Sequence, residues 1–299
     1  MSTADILIPD FALILLGVAL RRYAGFQTEF WSGLERLVYY VLFPALLFGA
    51  LARGHYDLHA AGALLVTGVA FFAVGALLGY AAKYLFPRLP PMSFASAFQC
   101  AFRFNSYVGF AILGTLYGQV GIAAFGILAG IMVPLSNIAA VLALVHHGGG
   151  RWWREVLRNP LILSTFAGLA WTLAGLPLPT AASTTLQFLG EAALPMGLIA
   201  VGAGLRPFGF SAYKEFIAYL TVVKLLVLPA VAYGVARWLD LQGPYFAAAL
   251  VLAALPTASS AYILTVRMGG DGRLVASITA INLLAAVVTL PLWLAIAHA

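Results

Sequence analysis

Apolar residues dominate the chain in ten long runs, separated at short intervals by glycine, proline and isolated charges. A bilayer core of about 30 Å is crossed by about 20 apolar residues in helical form. The pattern therefore predicts ten spanning helices: Ile6 to Tyr23, Ser32 to Ala52, His59 to Phe86, Met92 to Tyr117, Gly121 to His146, Pro160 to Leu176, Gln187 to Leu205, Ala212 to Leu239, Pro244 to Val266 and Leu274 to Ile296. The first run follows Met1-Ser2-Thr3-Ala4-Asp5, with neither a basic n-region nor a small-residue cleavage site. It reads as a span rather than a removed signal peptide. Composition points the same way, because 63% of the 299 residues are hydrophobic, only 9% are charged and the mean hydropathy is +0.99. A soluble domain carries roughly 25% charged residues.

The 16 Lys and Arg outnumber the 10 Asp and Glu, but they are scattered over short loops and form no patch that could grip nucleic acid. Twelve of the 16 fall in one set of alternate loops and their flanks, namely Arg21, Arg22, Arg36, Lys83, Arg88, Arg151, Arg154, Arg158, Arg206, Lys214, Arg267 and Arg273. The other set holds Arg53 and Arg237. Basic residues are retained on the cytoplasmic side, so both termini are predicted to face outward. Arg103 and Lys224 remain, and both lie inside spans. Cys100 is the only cysteine, which leaves neither a disulfide framework nor a thiolate metal site. No zinc-protease His-Glu-x-x-His, no acid-rich pyrophosphate repeat and no Gly-x-Ser-x-Gly elbow occurs. The adjacent His146 and His147 would point in different directions on a helix, which argues against chelation. The chain is thus expected to be neither an enzyme nor a holder of cofactor or metal.

Displaced by 151, the second half aligns with the first without a gap: Pro9 with Pro160, Gly17 with Gly168, Ala19 with Ala170, and Pro44 with Pro195. Five predicted spans precede the second unit, an odd number, so the two units would enter the membrane from opposite sides. The expected fold is all-α, with ten transmembrane helices in two inverted five-helix repeats, residues 1–146 and 160–299, joined by a short cytoplasmic linker at 147–159. Inverted repeats characterise secondary transporters, whose substrates bind near the midplane where interrupted helices meet. The same displacement pairs Asn105 with Pro256, which lie 13 and 12 residues beyond the starts of their predicted spans, or roughly 20 Å along a helix. Pro256 removes a backbone donor, while Asn105, Ser106 and Gly109 offer competing hydrogen bonds and a flexible joint. Both the fourth and the ninth span are expected to break there.

These residues resemble the auxin efflux carrier family, which includes plant PIN-formed carriers and bacterial malonate-type transporters. The resemblance rests on Leu15-Leu16-Gly17 to Arg21-Arg22, Leu37 to Phe48, Phe102-Arg103-Phe104-Asn105-Ser106-Tyr107-Val108-Gly109, Arg158-Asn159-Pro160, Ala193-Leu194-Pro195 and Ala254-Leu255-Pro256-Thr257-Ala258. It implies crossed fourth and ninth helices and a fold similar to bile-acid symporters and sodium/proton antiporters. It also implies a scaffold of helices 1, 2, 6 and 7, with the remaining six forming a transport domain able to move as an elevator. The long cytoplasmic insert of many plant members is absent. Phe110-Ala111 replace the proline that many relatives carry after the fourth-helix glycine, a departure that predicts a less sharply broken fourth helix.

Beyond each break a half-helix begins, with unpaired N–H groups and the positive end of its dipole, an environment that favours an anion. Arg103 would add a permanent charge. Arg103, Asn105, Ser106, Tyr107, Gly109, Pro256, Thr257, Ser259 and Ser260 are the candidate substrate contacts; helix packing accounts for any one of them equally well. Ser136, Asn137, Lys224 and Asn282 are candidates for the cavity wall or for ion coupling, with proton and sodium both open. The expectation is a secondary transporter for a small organic anion, malonate-like or auxin-like. An anion channel or a membrane enzyme is the alternative. The partners expected are that anion, the lipid bilayer and a second copy on the scaffold.

Overall fold

The computed structural model describes residues 3–52, 58–144, 160–205, 213–258 and 260–298. Among these no strand occurs, and the regular elements are helices. In chain order they are α1 Thr3–Tyr23, α2 Thr28–Leu51, α3 Leu58–Leu85, α4 Pro91–Phe98 with a 3₁₀ turn Gln99–Ala101, α5 Ser106–Leu144, α6 Pro160–Leu173, α7 Thr180–Gly204, α8 Lys214–Trp238, α9 Gly243–Ala254, α10 Ser260–Arg267 and α11 Gly272–His298. The linker expected at 147–159 lies outside the described residues.

Among the described residues six helical stretches are long and apolar enough to cross a membrane: Thr28–Leu51, His59–Leu85, Pro91–Leu144, Thr180–Gly204, Lys214–Trp238 and Gly272–Ala297. The first apolar run, α1, is not among these six, and three further differences from the ten runs have physical reasons. Pro91–Leu144 merges two of the runs, and Gly118, at φ 57° and ψ −139°, kinks the chain between them, a conformation that suits glycine because it has no Cβ. Elsewhere α6 and α9 are short, at 14 and 12 residues.

Proline shapes many of these elements. Pro91, Pro160 and Pro244 open α4, α6 and α9, where the missing N–H costs nothing. Pro44 and Pro229 lie inside α2 and α8, and each follows a π-turn, Val38–Leu42 and Val223–Val227. A proline in a helix interior leaves the carbonyl four residues earlier without its donor. Trp293 of α11 supplies a substitute, donating its Nε1–H to the Leu225 carbonyl at 2.9 Å.

The helices pack in two groups. In one, α1 lies along α7, and α2 packs on both α6 and α7. In the other, α9 is surrounded by α3, α5, α8 and α11, and its residues Ala248 to Ala254 are almost wholly buried. Backbones touch within the first group. A methyl at Gly17 would overlap the Ile199 carbonyl oxygen, and one at Gly202 would overlap that of Ile14. At Gly168 a methyl would meet Leu51 Cβ at 2.7 Å and the Phe48 carbonyl oxygen at 3.3 Å. Gly17 against Ile199 and Gly168 against Phe48 are therefore the same contact with partners exchanged, since each glycine and each partner is displaced by 151.

Candidate functional site

Two helices end and restart near Asn105 and Pro256, positions that the displacement of 151 pairs. After its 3₁₀ turn α4 stops, and Phe102 to Asn105 are non-helical before α5 begins at Ser106. The break spans four residues although Phe110-Ala111 stand where many relatives are expected to carry a proline. Asn105 starts the new helix: its Oδ1 accepts the Tyr107 N–H at 3.2 Å, a side-chain cap. In the second break Leu255 turns to extended geometry, at φ −61° and ψ 144°, as a residue preceding proline does. The two breaks are joined directly, because the Asn105 N–H donates to the Pro256 carbonyl at 2.9 Å. Proline has no N–H with which to return the bond.

Each interrupted helix has its last carbonyls satisfied from outside. Thr257 Oγ1 donates to the Cys100 carbonyl at 3.1 Å, closing the end of α4. Lys224 Nζ donates to the Ala253 carbonyl at 2.8 Å, closing the end of α9. A cation at a helix C-terminus is favoured by the dipole. The π-turn of α8 carries Lys224, whose side chain is wholly buried. Asn282 of α11 completes this side by donating to Thr257 Oγ1 at 2.8 Å, while its own Oδ1, also buried, has no partner among the described residues.

A second polar line runs along one face of α4. Arg103, 8% exposed, donates to Gln99 Oε1 at 2.7 Å and to Asn137 Oδ1 of α5. Gln99 Nε2 donates to Thr265 Oγ1 of α10 at 2.9 Å. One turn further, Ser96 Oγ accepts the Asp271 N–H, and Ser93 donates to Asp271 Oδ2, both at 2.9 Å. Asp271 Oδ1 also accepts the Leu274 N–H at 3.0 Å, capping α11.

The structure thus gathers Arg103 with Asn137, Asn105 with Pro256, and Thr257 with Asn282. Tyr107 turns away from these pairs to pack on Phe43 of α2, with ring centroids 4.8 Å apart. Gly109 is a packing position, where a methyl would strike Phe125 and approach Leu255 Cδ1 to 2.8 Å. Ser106 is half-buried, Ser260 is exposed, and Ser136 is buried with its hydroxyl unpartnered among the described residues. Ser259 lies outside the described residues. Sequence reading missed Ser93, Ser96, Gln99, Thr265 and Asp271. The signal was present, since polar residues at 93, 96, 99 and 103 fall at spacings of three, three and four, which is one helix face.

Comparison with known proteins adds three kinds of likeness. The family model described as Membrane transport protein matches residues 144–294. An uncharacterized transporter of Methanothermobacter thermautotrophicus is 26% identical over 302 residues, covering 98% of both chains. A Rhizobium meliloti protein that bears the name "Putative malonate transporter" is 25% identical, covering 88% of this chain and 86% of its own. Auxin efflux carrier component 2 of Arabidopsis thaliana is 31% identical over 110 residues, which is 35% of this chain and 17% of that one.

Proposed function

Because the chain belongs to the membrane transport protein family, to which the auxin efflux carriers are related, we propose that it is a secondary transporter moving a small organic anion by alternating access. On this reading ten helical segments span the bilayer in two inverted units, with both termini outward. The group built on α1, α2, α6 and α7 is the scaffold, and the group around α9 carries the substrate in an elevator-like motion. One observation carries the proposal: the Asn105 N–H to Pro256 carbonyl bond of 2.9 Å. Residues related by an inverted repeat touch each other only near its pseudo-twofold axis, and Asn105 and Pro256 are such a pair. The exchanged contacts of Gly17 and Gly168 support the same axis. Substrates bind beside that axis in transporters built from inverted repeats.

The start of α5 directs N–H groups and a positive dipole end toward the crossing, and Arg103 lies three residues before it. That electrostatic character supports a carboxylate, and malonate is the first candidate because a relative bears that assignment. The test is flux of labelled malonate and of indole-containing acids into proteoliposomes. A carrier gives saturable uptake, accelerated by the unlabelled acid on the far side, and returns the solute chemically unchanged. Flux that rises linearly with concentration and lacks exchange assigns a channel instead.

A further inference from the structure

We propose that the scaffold holds one anionic phospholipid, its acyl chain in a groove between α1, α2 and α7 and its phosphate on Arg21 and Arg22. The groove encloses about 560 Å³ and is lined by apolar side chains, among them Leu20, Phe26, Phe30, Trp31, Leu37 and Ile199. Phe26 and Phe30 stack with centroids 4.6 Å apart, and Trp31 meets both edge-on at 5.9 and 5.1 Å. Phe26, Phe30 and Leu37 remain between 42% and 47% exposed. This is a preformed apolar slot with rigid aromatic walls.

Charge chooses the occupant. Arg21 and Arg22 form the last turn of α1, directly after Leu20, and the short turn that follows leads to Phe26. Arg21, next in sequence to the groove residue Leu20, donates to Thr28 Oγ1 at 3.2 Å and so ties the end of α1 to the start of α2. Arg22 is exposed, lying 5.5 Å from the centroid of the Tyr23 ring. Neither arginine has a carboxylate partner among the described residues, and Glu29 on the first turn of α2 points to solvent unpaired with them. Basic residues flanking a membrane helix attract anionic headgroups, and a phospholipid joins such a headgroup to an apolar chain. A second copy of this chain is the competing occupant, and light scattering distinguishes it from lipid.

The groove can be plugged without disturbing the fold, because a side chain started at Gly33 meets nothing within 4 Å. The experiment is native mass spectrometry of purified protein titrated with phosphatidylglycerol and phosphatidylcholine of matched chains. The wild type should retain phosphatidylglycerol with a roughly tenfold preference. In R21Q/R22Q that preference should fall below about twofold while chain binding persists, and in Gly33→Trp retention of both lipids should fall. Equal retention of the two lipids by the wild type overturns the proposal. So does a preference that survives R21Q/R22Q, lipid retention unchanged in Gly33→Trp, or a wild-type dimer in light scattering that Gly33→Trp splits. This assay reads lipid alone, so its failure is distinguishable from a failure of the transport reading, which is measured as flux.

Discussion

Asn105 and Pro256 reach one outcome through opposite chemistry. Pro256 breaks α9 by lacking a donor and by forcing Leu255 out of helical geometry. Asn105 ends the break after α4 by supplying an acceptor that begins the next helix. Replacing Asn105 with Ala should cost about 1 kcal/mol through the lost cap, seen as a lower unfolding midpoint, with anion binding lost as well. Lys224 invites a different test. Lys224→Met keeps the length of the side chain but strands the Ala253 carbonyl, and an unpaired buried acceptor costs about 1–3 kcal/mol. Thermal unfolding of that variant should show a loss of this size. Arg103 lies among groups of the crossing, whereas Arg237 is exposed and stacked on Tyr233 and Phe246 at 5.3 and 5.0 Å. Arg103→Gln should therefore weaken anion affinity by about tenfold or more, the magnitude expected for a charge-assisted hydrogen bond. Arg237→Gln should change it by less than about twofold, and equal losses in the two folded variants would remove Arg103 from the site.

The elements were legible in the sequence to different depths, and the differences have physical causes. Apolar runs and terminal prolines located the helices because a bilayer demands length and because proline is tolerated at a helix start. The break after α4 ends at Asn105, where the pattern expects it, although a side-chain cap leaves no signal as plain as a proline. The π-turns of α2 and α8 were not foreseen at all. They absorb an extra residue ahead of Pro44 and Pro229, and only the position of Trp293 reveals where the freed carbonyl is satisfied. The contacts of Gly17 and Gly202 were equally hidden, since a small residue does not announce which helix approaches it. Where backbones touch, added volume cannot be absorbed by a side-chain rotation. Gly17→Leu should destabilise the protein by about 1–3 kcal/mol or more, measured as a drop in the unfolding midpoint, whereas the same change at Gly33 should be nearly silent.

At the scale of the molecule, the two helix groups meet across a surface in which α5 presents glycines to larger residues. A methyl at Gly126 would meet Leu47 Cδ2 at 2.8 Å, and methyls at Gly114 and Gly130 would approach Leu194 and Thr165 to 3.3 and 3.1 Å. Such a surface has little relief to hold one group fixed against the other. On the proposed mechanism Gly126→Leu should slow exchange about tenfold while leaving anion affinity within twofold, because a filled notch opposes motion rather than binding. Exchange and equilibrium binding measured on the same preparation check this. The central claim is that an anion binds where Asn105 and Pro256 cross. Its most direct test is thermal unfolding of purified wild type and Asn105→Ala across a range of malonate and related carboxylates. One acid should stabilise the wild type by about 2.7 kcal/mol at a hundredfold excess over its Kd and leave the folded Asn105→Ala variant unmoved. Equal stabilisation of both proteins would contradict it.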